Sequence, residues 1–409
     1  MNGFVICGKP QFSGEWVKLG DAFELRMGKT PSRKNMAYWR NGKYDWVSIA
    51  DLGAFDKYVA ATKEQISDAA IVESRIKPAP ANTVLMSFKL SIGKAAITRS
   101  PVFTNEAIMA LVDRGKYRID PTFIYHQCKA KDWTAGSNTA VMGKTLNKKT
   151  LSETRIYLPG FEKQIQIAAE LDYLDEQIAS ANAVSERLDA LVKSRFNEMF
   201  EDVKLPVIAF GDCCIHLRNG ANIKQEKGAS GIPITRIETL SNGKFNPDKM
   251  GFANIFSIDS YAKHRLLPGD ILISHINSIA YLGRAVQYRG ELGDSPVIHG
   301  MNLLGARLKE TFSPTYFEWY FKTPQVSRYI SSIAKKSVNQ ASFSVTDLKK
   351  MPIAIPPISS QLEFAAFVQQ VDKLRFMLLG NPSPTYRGRS FCCSTNSGNG
   401  GVILEVKDY

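Results

Sequence analysis

The chain has 409 residues, of which 44% are hydrophobic and 22% are charged. This length exceeds one ordinary domain and suits two domains with connectors, and the composition is typical of a folded chain. The 52 basic and 39 acidic residues give a formal net charge of +13, which favours a polyanionic partner such as a nucleic acid. The sequence contains no apolar run long enough to span a membrane and no secretory signal pattern, so we expect a cytoplasmic protein without membrane association.

The first 158 residues read as a mixed α/β domain. Short apolar runs bounded by Gly, Pro and Asn predict strands near 46–49, 84–86 and 107–111. Aromatic residues at helical spacing predict a helix over 121–130.

Residues 159–202 change to a helical pattern. Apolar or small side chains recur at seven-residue intervals along two lines from Gln164 onward. This pattern predicts a coiled-coil helix of about 40 residues, on the order of 60 Å long, and an ordinary long packing helix is the alternative. The seam positions include Leu171, Leu174, Ile178, Leu188 and Val192.

Residues 203–355 repeat the pattern of the first domain. Predicted strands fall at 232–237, 271–273 and 303–308, and a helical stretch covers 314–334. Pro159 and Pro356 lie 197 positions apart, as do Gln164 and Gln361, so we infer a tandem duplication.

A second helix is predicted over 356–379, and its seam includes Val368 and Val371. It ends at Gly380, about half the length of the first helix, because Gly and Pro residues follow. We expect 380–409 to be a disordered tail or foreign sequence from an altered reading frame.

Catalytic and metal sites are absent from the sequence pattern. The triplets 28–30 and 143–145 resemble the end of a phosphate-binding loop, but Phe23 and Asn138 occupy the place of its leading glycine. The six cysteines form no C-x-x-C pair and the five histidines are scattered. We therefore predict no metal, no cofactor and no catalytic activity of the chain by itself.

Three features together resemble the specificity subunit of type I restriction-modification enzymes. The first is the opening Trp16–Asp21, followed by Gly28–Ser32 and Tyr38–Trp39. The second is a strand and turn ending in Ser87 and Gly93, and again in Ser274 and Gly283. The third is the signal Ile-x-Leu/Ile-Pro-x-x-x-x-Gln at the start of each helix. The resemblance covers residues 14–379.

The resemblance implies two target-recognition domains in tandem, each followed by a coiled-coil helix, of which the second is truncated. Each domain would read one half of an asymmetric, bipartite site in double-stranded DNA. The helices would pack antiparallel, set the distance between the half-sites and dock methyltransferase subunits, two of which we expect. Restriction subunits, which carry the motor and nuclease, would join that core.

The chain also departs from the family pattern. Glu162-Lys163 and Ser359-Ser360 lie where the family often has acidic residues before the Gln. Alternatives are a truncated or silent variant, a coiled-coil DNA-binding scaffold, or the recognition part of a fused restriction–methylation enzyme.

Polar loops supply the side chains that base reading needs, since Arg and Lys pair with guanine and Asn and Gln with adenine. Candidate DNA contacts in the first domain are Lys29, Thr30, Ser32, Arg33, Lys34, Asn35, Tyr38, Lys89, Ser91, Lys144, Asn147 and Lys148. Those in the second are Arg218, Asn219, Asn222, Lys224, His275, Asn277, Ser278, Ser337, Asn339 and Gln340. For any one of them, a solvated loop side chain is the alternative. Helix pairing and subunit docking are assigned to Leu171, Leu174, Ile178, Leu188, Val192, Val368 and Val371.

Overall fold

The computed structural model describes residues 13–89, 91–131, 133, 146–201, 203–226, 231–337, 340–379, 390–395 and 402–407. The chain divides into two compact units, and the division falls inside one helix. The first unit comprises residues up to Ser180 together with 385–409, and the second comprises Ala181–Pro384.

The first unit is built from short strands and helices that precede a long helix. Its strands are β1 (Gly14–Lys18), β2 (Phe23–Met27), β3 (Tyr44–Val47), β4 (Glu64–Ile66), β5 (Val84–Ser87), β6 (Ala95–Ile97), β7 (Phe103–Thr104), β8 (Ile108–Asp113) and β9 (Arg155–Pro159). Its helices are α1 (Leu19–Ala22), α2 (Ile49–Leu52), α3 (Asp68–Ser74), α4 (Pro121–Ala130), α5 (Lys148–Glu153) and the first half of α6 (Phe161–Phe200).

The central sheet of the first unit has the strand order β2-β8-β5-β6 and is antiparallel throughout. Side chains alternate between its faces. Val84 and Met86 pack into one apolar cluster, and Leu85 packs into another. Burial on both faces explains why the sequence of β5 is apolar without alternation. A second sheet has the order β4-β3-β7, and β1 pairs with β9.

The second unit repeats this plan. Its strands are β10 (Val207–Ala209), β11 (Cys214–Asn219), β12 (Gln225–Glu226), β13 (Ile232–Ile234), β14 (Gly251–Ala253), β15 (Ile271–Ser274), β16 (Ile276–Asn277), β17 (Ala285–Gln287), β18 (Leu303–Leu308), β19 (Lys335–Lys336), β20 (Ala341–Ser342) and β21 (Pro352–Ala354). Its helices are the second half of α6, α7 (Phe210–Cys213), α8 (Pro314–Tyr320), α9 (Pro324–Ile333), α10 (Val345–Lys349) and α11 (Ile358–Leu379).

The strand order β11-β18-β15-β17 matches β2-β8-β5-β6 position by position, and β10 pairs with β21 as β1 pairs with β9. The predicted fold class, two similar mixed α/β domains each followed by a helix, is therefore confirmed. The second helix is truncated as predicted, since α11 has 22 residues and α6 has 40.

Within the second unit, α11 packs antiparallel against the second half of α6. Phe364, near the start of α11, contacts Phe196 and Phe200, with ring centroids 5.3 and 5.8 Å apart. Further along α11, Arg375 forms an ion pair with Asp189. The residue numbers thus rise along one helix as they fall along the other.

Four of the seven seam residues lie in the apolar core of the second unit, namely Leu188, Val192, Val368 and Val371. The other three belong to the first-unit half of α6, where Leu174 is 43% exposed and Leu171 and Ile178 are half-buried.

Two stretches of the predicted tail are described, and they pair as antiparallel strands, β22 (Ser390–Thr395) and β23 (Val402–Lys407). The rest of 380–409 lies outside the described residues, so the origin and disorder of this segment stay predictions.

Candidate nucleic-acid interface

A buried glutamine fastens each domain to the helix that follows it. Gln164 and Gln361 are each 1% exposed. The side-chain carbonyl of Gln164 accepts a hydrogen bond from the Asp120 backbone N–H (3.0 Å), and that of Gln361 accepts one from the Ser313 N–H (2.9 Å). Each amide nitrogen donates to a proline carbonyl five residues earlier, Pro159 or Pro356 (both 2.9 Å). The glutamine of the repeated signal therefore joins a domain helix, α4 or α8, to the helix that follows the domain, α6 or α11. We call this bonded arrangement the frame of each copy, and the polar loops are attached to it.

Charged side chains add to this frame in the first unit. Asp172 on α6 accepts a hydrogen bond from Lys57 and lies 2.8 Å from the Nε2 of His126 on α4. Burial lowers the pKa of His126, and the neighbouring Asp172 only partly offsets that effect. In the second unit an aromatic contact replaces these charged side chains. Trp319 on α8 lies edge-on to Phe364 on α11, with the ring centroids 6.2 Å apart.

The loop after β2 contains the first group of predicted DNA contacts, and several are already bonded within the fold. Lys29 Nζ donates to the Ser74 carbonyl at the end of α3 (2.7 Å). Thr30 donates to Glu106. Ser32 and Lys34 are exposed, and neither side chain has a hydrogen-bond or ion-pair partner in the described part of the chain.

Arg33 is the most engaged cation of this loop. Its guanidinium forms a two-point hydrogen bond with Glu64 and lies 3.8 Å from the ring centroid of Trp39. The hydrogen bond to Glu64 raises the pKa of Arg33. Because the ion pair is half-exposed, its net contribution to stability is small.

Three predicted contacts use their polar atoms to stabilise the fold. Asn35 caps the 3₁₀ turn Met36–Tyr38, and Tyr38 is buried with its hydroxyl bonded to Glu73. Asn147 caps α5 by accepting a hydrogen bond from the Thr150 N–H (2.9 Å). The equivalent residue of the second copy, Ser344, caps α10 in the same way. Short polar side chains favour such positions because they satisfy free N–H groups.

The strand and turn at Ser87 and Gly93, repeated at Ser274 and Gly283, also have a structural role. The Gly93 N–H donates to the Ser87 carbonyl (3.0 Å), and the Gly283 N–H donates to the Ser274 carbonyl (2.8 Å). Both glycines have positive φ, 90° and 80°, which a side chain would strain.

Other predicted contacts of the first domain lie beside this turn or near α5. Lys89 is half-buried with Nζ 5.2 Å from the Phe88 ring, and Ser91 is exposed. Lys148 is exposed at the start of α5. Lys144 lies outside the described residues.

In the second unit, one predicted group covers the end of β11 and the residues after it. Arg218 is half-buried and donates to the Lys263 carbonyl (3.3 Å), whereas Asn219, Asn222 and Lys224 are exposed. This stretch therefore presents one cation and two amides to solvent.

The structure brings the other two predicted groups of the second unit into one small sheet. β16 pairs with β20, and β20 pairs with β19. Asn277 and Ser278 are thereby placed next to the turn that contains Ser337 and Gln340, and the Ser337 N–H donates to the Gln340 carbonyl (2.7 Å). Asn339 lies outside the described residues.

Two members of this group face the protein. His275 is 7% exposed, its Nδ1 has no hydrogen-bond partner among the described residues, and burial lowers its pKa. The Asn277 amide donates to the Ser274 hydroxyl (3.1 Å). The same sheet exposes Lys335 and Lys336, which sequence reasoning missed although this pair of adjacent cations precedes Ser337.

Other kinds of site find no support within the described ranges. No group of three or more His, Cys, Asp and Glu residues there is arranged to hold a metal, and none of the described helices is long and apolar enough to cross a membrane. Cys128, Cys213 and Cys214 are buried and free, and burial raises the pKa of each thiol to about 12. These thiols stay protonated and are poor nucleophiles.

Comparison with known proteins yields consistent matches. A family model described as "Type I restriction modification DNA specificity domain" matches residues 14–190 and again 207–379. The putative type I restriction enzyme MjaX specificity subunit of Methanocaldococcus jannaschii is 39% identical over 162 residues, which is 39% of this chain and 37% of that protein. The chain thus spans well under half the length of this relative.

Two further matches extend over most of the chain. The type I restriction enzyme EcoprrI specificity subunit of Escherichia coli is 27% identical over 375 residues, 88% of each chain. The crystal structure of a type I restriction-modification system S subunit from M. genitalium has a TM-score of 0.50 at 13% identity and covers 92% of this chain and 94% of its own. This structural likeness supports the fold.

Proposed function

The chain belongs to the family of type I restriction-modification DNA specificity domains, and from this premise we propose that it is the DNA-recognition subunit of a type I restriction-modification complex. Each unit would bind one half of a bipartite double-stranded site. Because the exposed loops of the two units differ, the two half-sites would differ as well.

One observation carries the proposal: the two copies share their frame and differ in their exposed loops. Gln164 and Gln361 share two hydrogen bonds, and Asn147 and Ser344 cap equivalent helices. At the loop after the first strand of the main sheet, by contrast, one copy exposes Ser32, Arg33 and Lys34, and the other exposes Asn222 and Lys224. A shared scaffold with divergent polar loops suits two readers of different sequences.

Domain exchange tests the modular part of the proposal. Residues 1–158 are replaced by the corresponding segment of a relative that has a different site, and methylated sequences are mapped in the complex with the partner subunits. We expect one half of the recognised site to change and the other half and the gap to stay. A change in both halves, or in neither, contradicts the assignment.

We further propose that two methyltransferase subunits dock on the helices, that restriction subunits join the complex, and that the chain has no methyltransferase or nuclease activity alone. Co-purification with the methyltransferase subunit tests the docking. Methyl transfer from S-adenosylmethionine to DNA by the purified chain alone would contradict the non-catalytic assignment and favour a fused restriction–methylation enzyme.

The shortness of α11, 22 residues against 40 in α6, favours one second candidate, a truncated or silent variant. Such a variant would bind DNA with a steep salt dependence but would not retain methyltransferase subunits through size-exclusion chromatography. Retention of the subunits in an active complex rejects this candidate.

A further inference from the structure

The turn that follows α3 holds a residue in a backbone conformation that its side chain disfavours. Arg75 has φ 49° and ψ 38°, in the left-handed region, at the end of the helix. Two other non-glycine residues with positive φ in the described ranges are Asn41 and Asn82. Asn and Gly tolerate this region, and Gly is the usual residue at such a helix end. The fold therefore keeps an arginine where an asparagine or a glycine is more stable.

The bonds of the fold do not explain this choice. The Arg75 side chain is exposed and has no hydrogen-bond or ion-pair partner among the described residues. A cation near a helix C-terminus can stabilise its free carbonyls. Here Lys29 already fills that role, since its Nζ donates to the Ser74 carbonyl.

The turn is also surrounded by positive charge. Arg26 donates to the Pro78 carbonyl, so Arg26 and Lys29 hold the segment 74–78 at its two ends. Lys77 is exposed within it and, like Arg26, acts to lower the pKa of Glu24.

Two carboxylates are near this group, Glu24 in contact with Arg26 and Glu73 two residues before Arg75 in the chain, and both are already engaged. Glu24 is bonded to Arg26, and this bond is the main reason for its lowered pKa. Glu73 accepts the Tyr38 hydroxyl. Four cations (Arg26, Lys29, Arg75 and Lys77) against two carboxylates leave an excess of two positive charges.

We propose that Arg75, assisted by Lys77, contacts a backbone phosphate of the DNA that the first unit binds. A phosphate is favoured over a base because several cations converge on one short segment, and such a cluster needs an anion rather than a donor–acceptor pattern. Lys29 connects the segment to the loop 28–35, so the contact extends the interface predicted there. This inference rests on the proposed DNA-binding function.

Replacing Arg75 with asparagine separates the two roles of the residue, because asparagine fits the left-handed backbone and carries no charge. We expect Arg75→Asn to keep or raise the melting temperature of the full-length chain. Its affinity for a mixed-sequence DNA duplex should fall on the order of tenfold at low salt. The slope of log K against log salt should decrease by about 0.9, the release of counterions from one phosphate.

Two further variants serve as controls. Arg75→Lys keeps the charge and the backbone strain, so the salt slope should stay that of the wild type. Arg155→Gln removes an exposed cation from the extended backbone of β9, beside the start of α6, and should leave the salt slope unchanged.

The outcomes distinguish this inference from the proposed function. A wild-type chain that binds no duplex at any salt concentration overturns the proposed function and the inference with it. Salt-dependent wild-type binding with an unchanged slope in Arg75→Asn overturns the inference alone. A loss of affinity in Arg75→Asn that is confined to one duplex sequence contradicts a phosphate contact.

Discussion

Replacing Gln361 tests whether the repeated Pro-x-x-x-x-Gln signal fastens each domain to its helix. Gln361→Ala removes the partner of the Ser313 N–H and the partner of the Pro356 carbonyl, and both hydrogen bonds are buried. Each unsatisfied buried group costs about 1–3 kcal/mol. The expected loss is therefore roughly 2–5 kcal/mol, with the cavity left by the side chain favouring the upper part of this range.

The first unit offers a matched comparison. Gln164 makes one more hydrogen bond than Gln361, but two of its three hydrogen bonds are only partly buried. Its amide nitrogen donates to the Arg118 carbonyl (3.0 Å) and to the Pro159 carbonyl, and only the latter bond is buried. Water can replace the other partners. Gln164→Ala should therefore cost less than Gln361→Ala, roughly 1–3 kcal/mol, despite the larger number of bonds.

Hydrogen exchange is the suitable assay, since a chain of two units does not unfold in one step. In Gln361→Ala the Ser313 amide should exchange about 30-fold faster or more, and the amides of α4 in the other unit should be unchanged. Gln361→Met fills most of the cavity and still lacks both hydrogen bonds, so it isolates their contribution. Unchanged protection of Ser313 in both variants, or an equal loss in both units, would refute the reasoning.

Three further predictions concern single groups. Asp189→Asn should destabilise the second unit by about 1–3 kcal/mol because Arg375, whose side chain is 9% exposed, keeps only Asp372 as a partner. Asp189→Leu with Arg375→Leu should restore or exceed wild-type stability in a double-mutant cycle, and strict additivity of the two single changes would exclude the coupling. Asn147→Ala should lower the stability of α5 by about 1 kcal/mol and leave DNA affinity unchanged, whereas a loss of affinity would return Asn147 to the interface. Burial lowers the pKa of His299 from 6.5 to about 4, so the unfolded chain binds its proton first as the pH falls. The free energy of unfolding of the second unit should therefore fall by about 3 kcal/mol between pH 6.5 and pH 4. His299→Gln should flatten this pH profile, and a profile that the substitution leaves unchanged would contradict the lowered pKa.

Much of the fold was predictable because buried strands and amphipathic helices have distinct sequence patterns. The strand 303–308 and the helix 121–130 have the predicted bounds. The predicted strand 232–237 ends at Ile234, and a 3₁₀ turn begins at Ile237. The helical stretch 314–334 divides into two helices because Pro324 cannot continue the first one and starts the second.

The seam of the long helix shows a different kind of error. Seven residues after Leu188 and Val192, a strict repeat predicts Arg195 and Met199 on the seam. Met199 is only partly buried, and Phe196 and Phe200 are the buried residues. A straight α-helix has 3.6 residues per turn, so the buried face drifts from a 3.5-residue repeat by about one position over several turns.

The candidate site was less predictable than the fold, because residue type does not reveal whether a polar atom is already bonded. Asn35, Tyr38 and Asn147 have the donors and acceptors that base reading requires, yet they cap helices or fill the core. Lys335 and Lys336 gain their place only through the pairing of β19 with β20, which no local pattern specifies. Whether any of the candidates, these three included, contacts DNA stays a prediction.

The duplication supplies a criterion that a single domain lacks. A polar residue that makes the same internal bond in both copies is retained for the fold, as Gln164 and Gln361 are. A polar residue that is exposed, unbonded and different between the copies is not retained for a bond within the fold. Arg75 is exposed and unbonded among the described residues, and it also opposes the backbone preference of its own position. Two units with one frame can therefore differ in their exposed loops while the bonds that hold the frame stay the same.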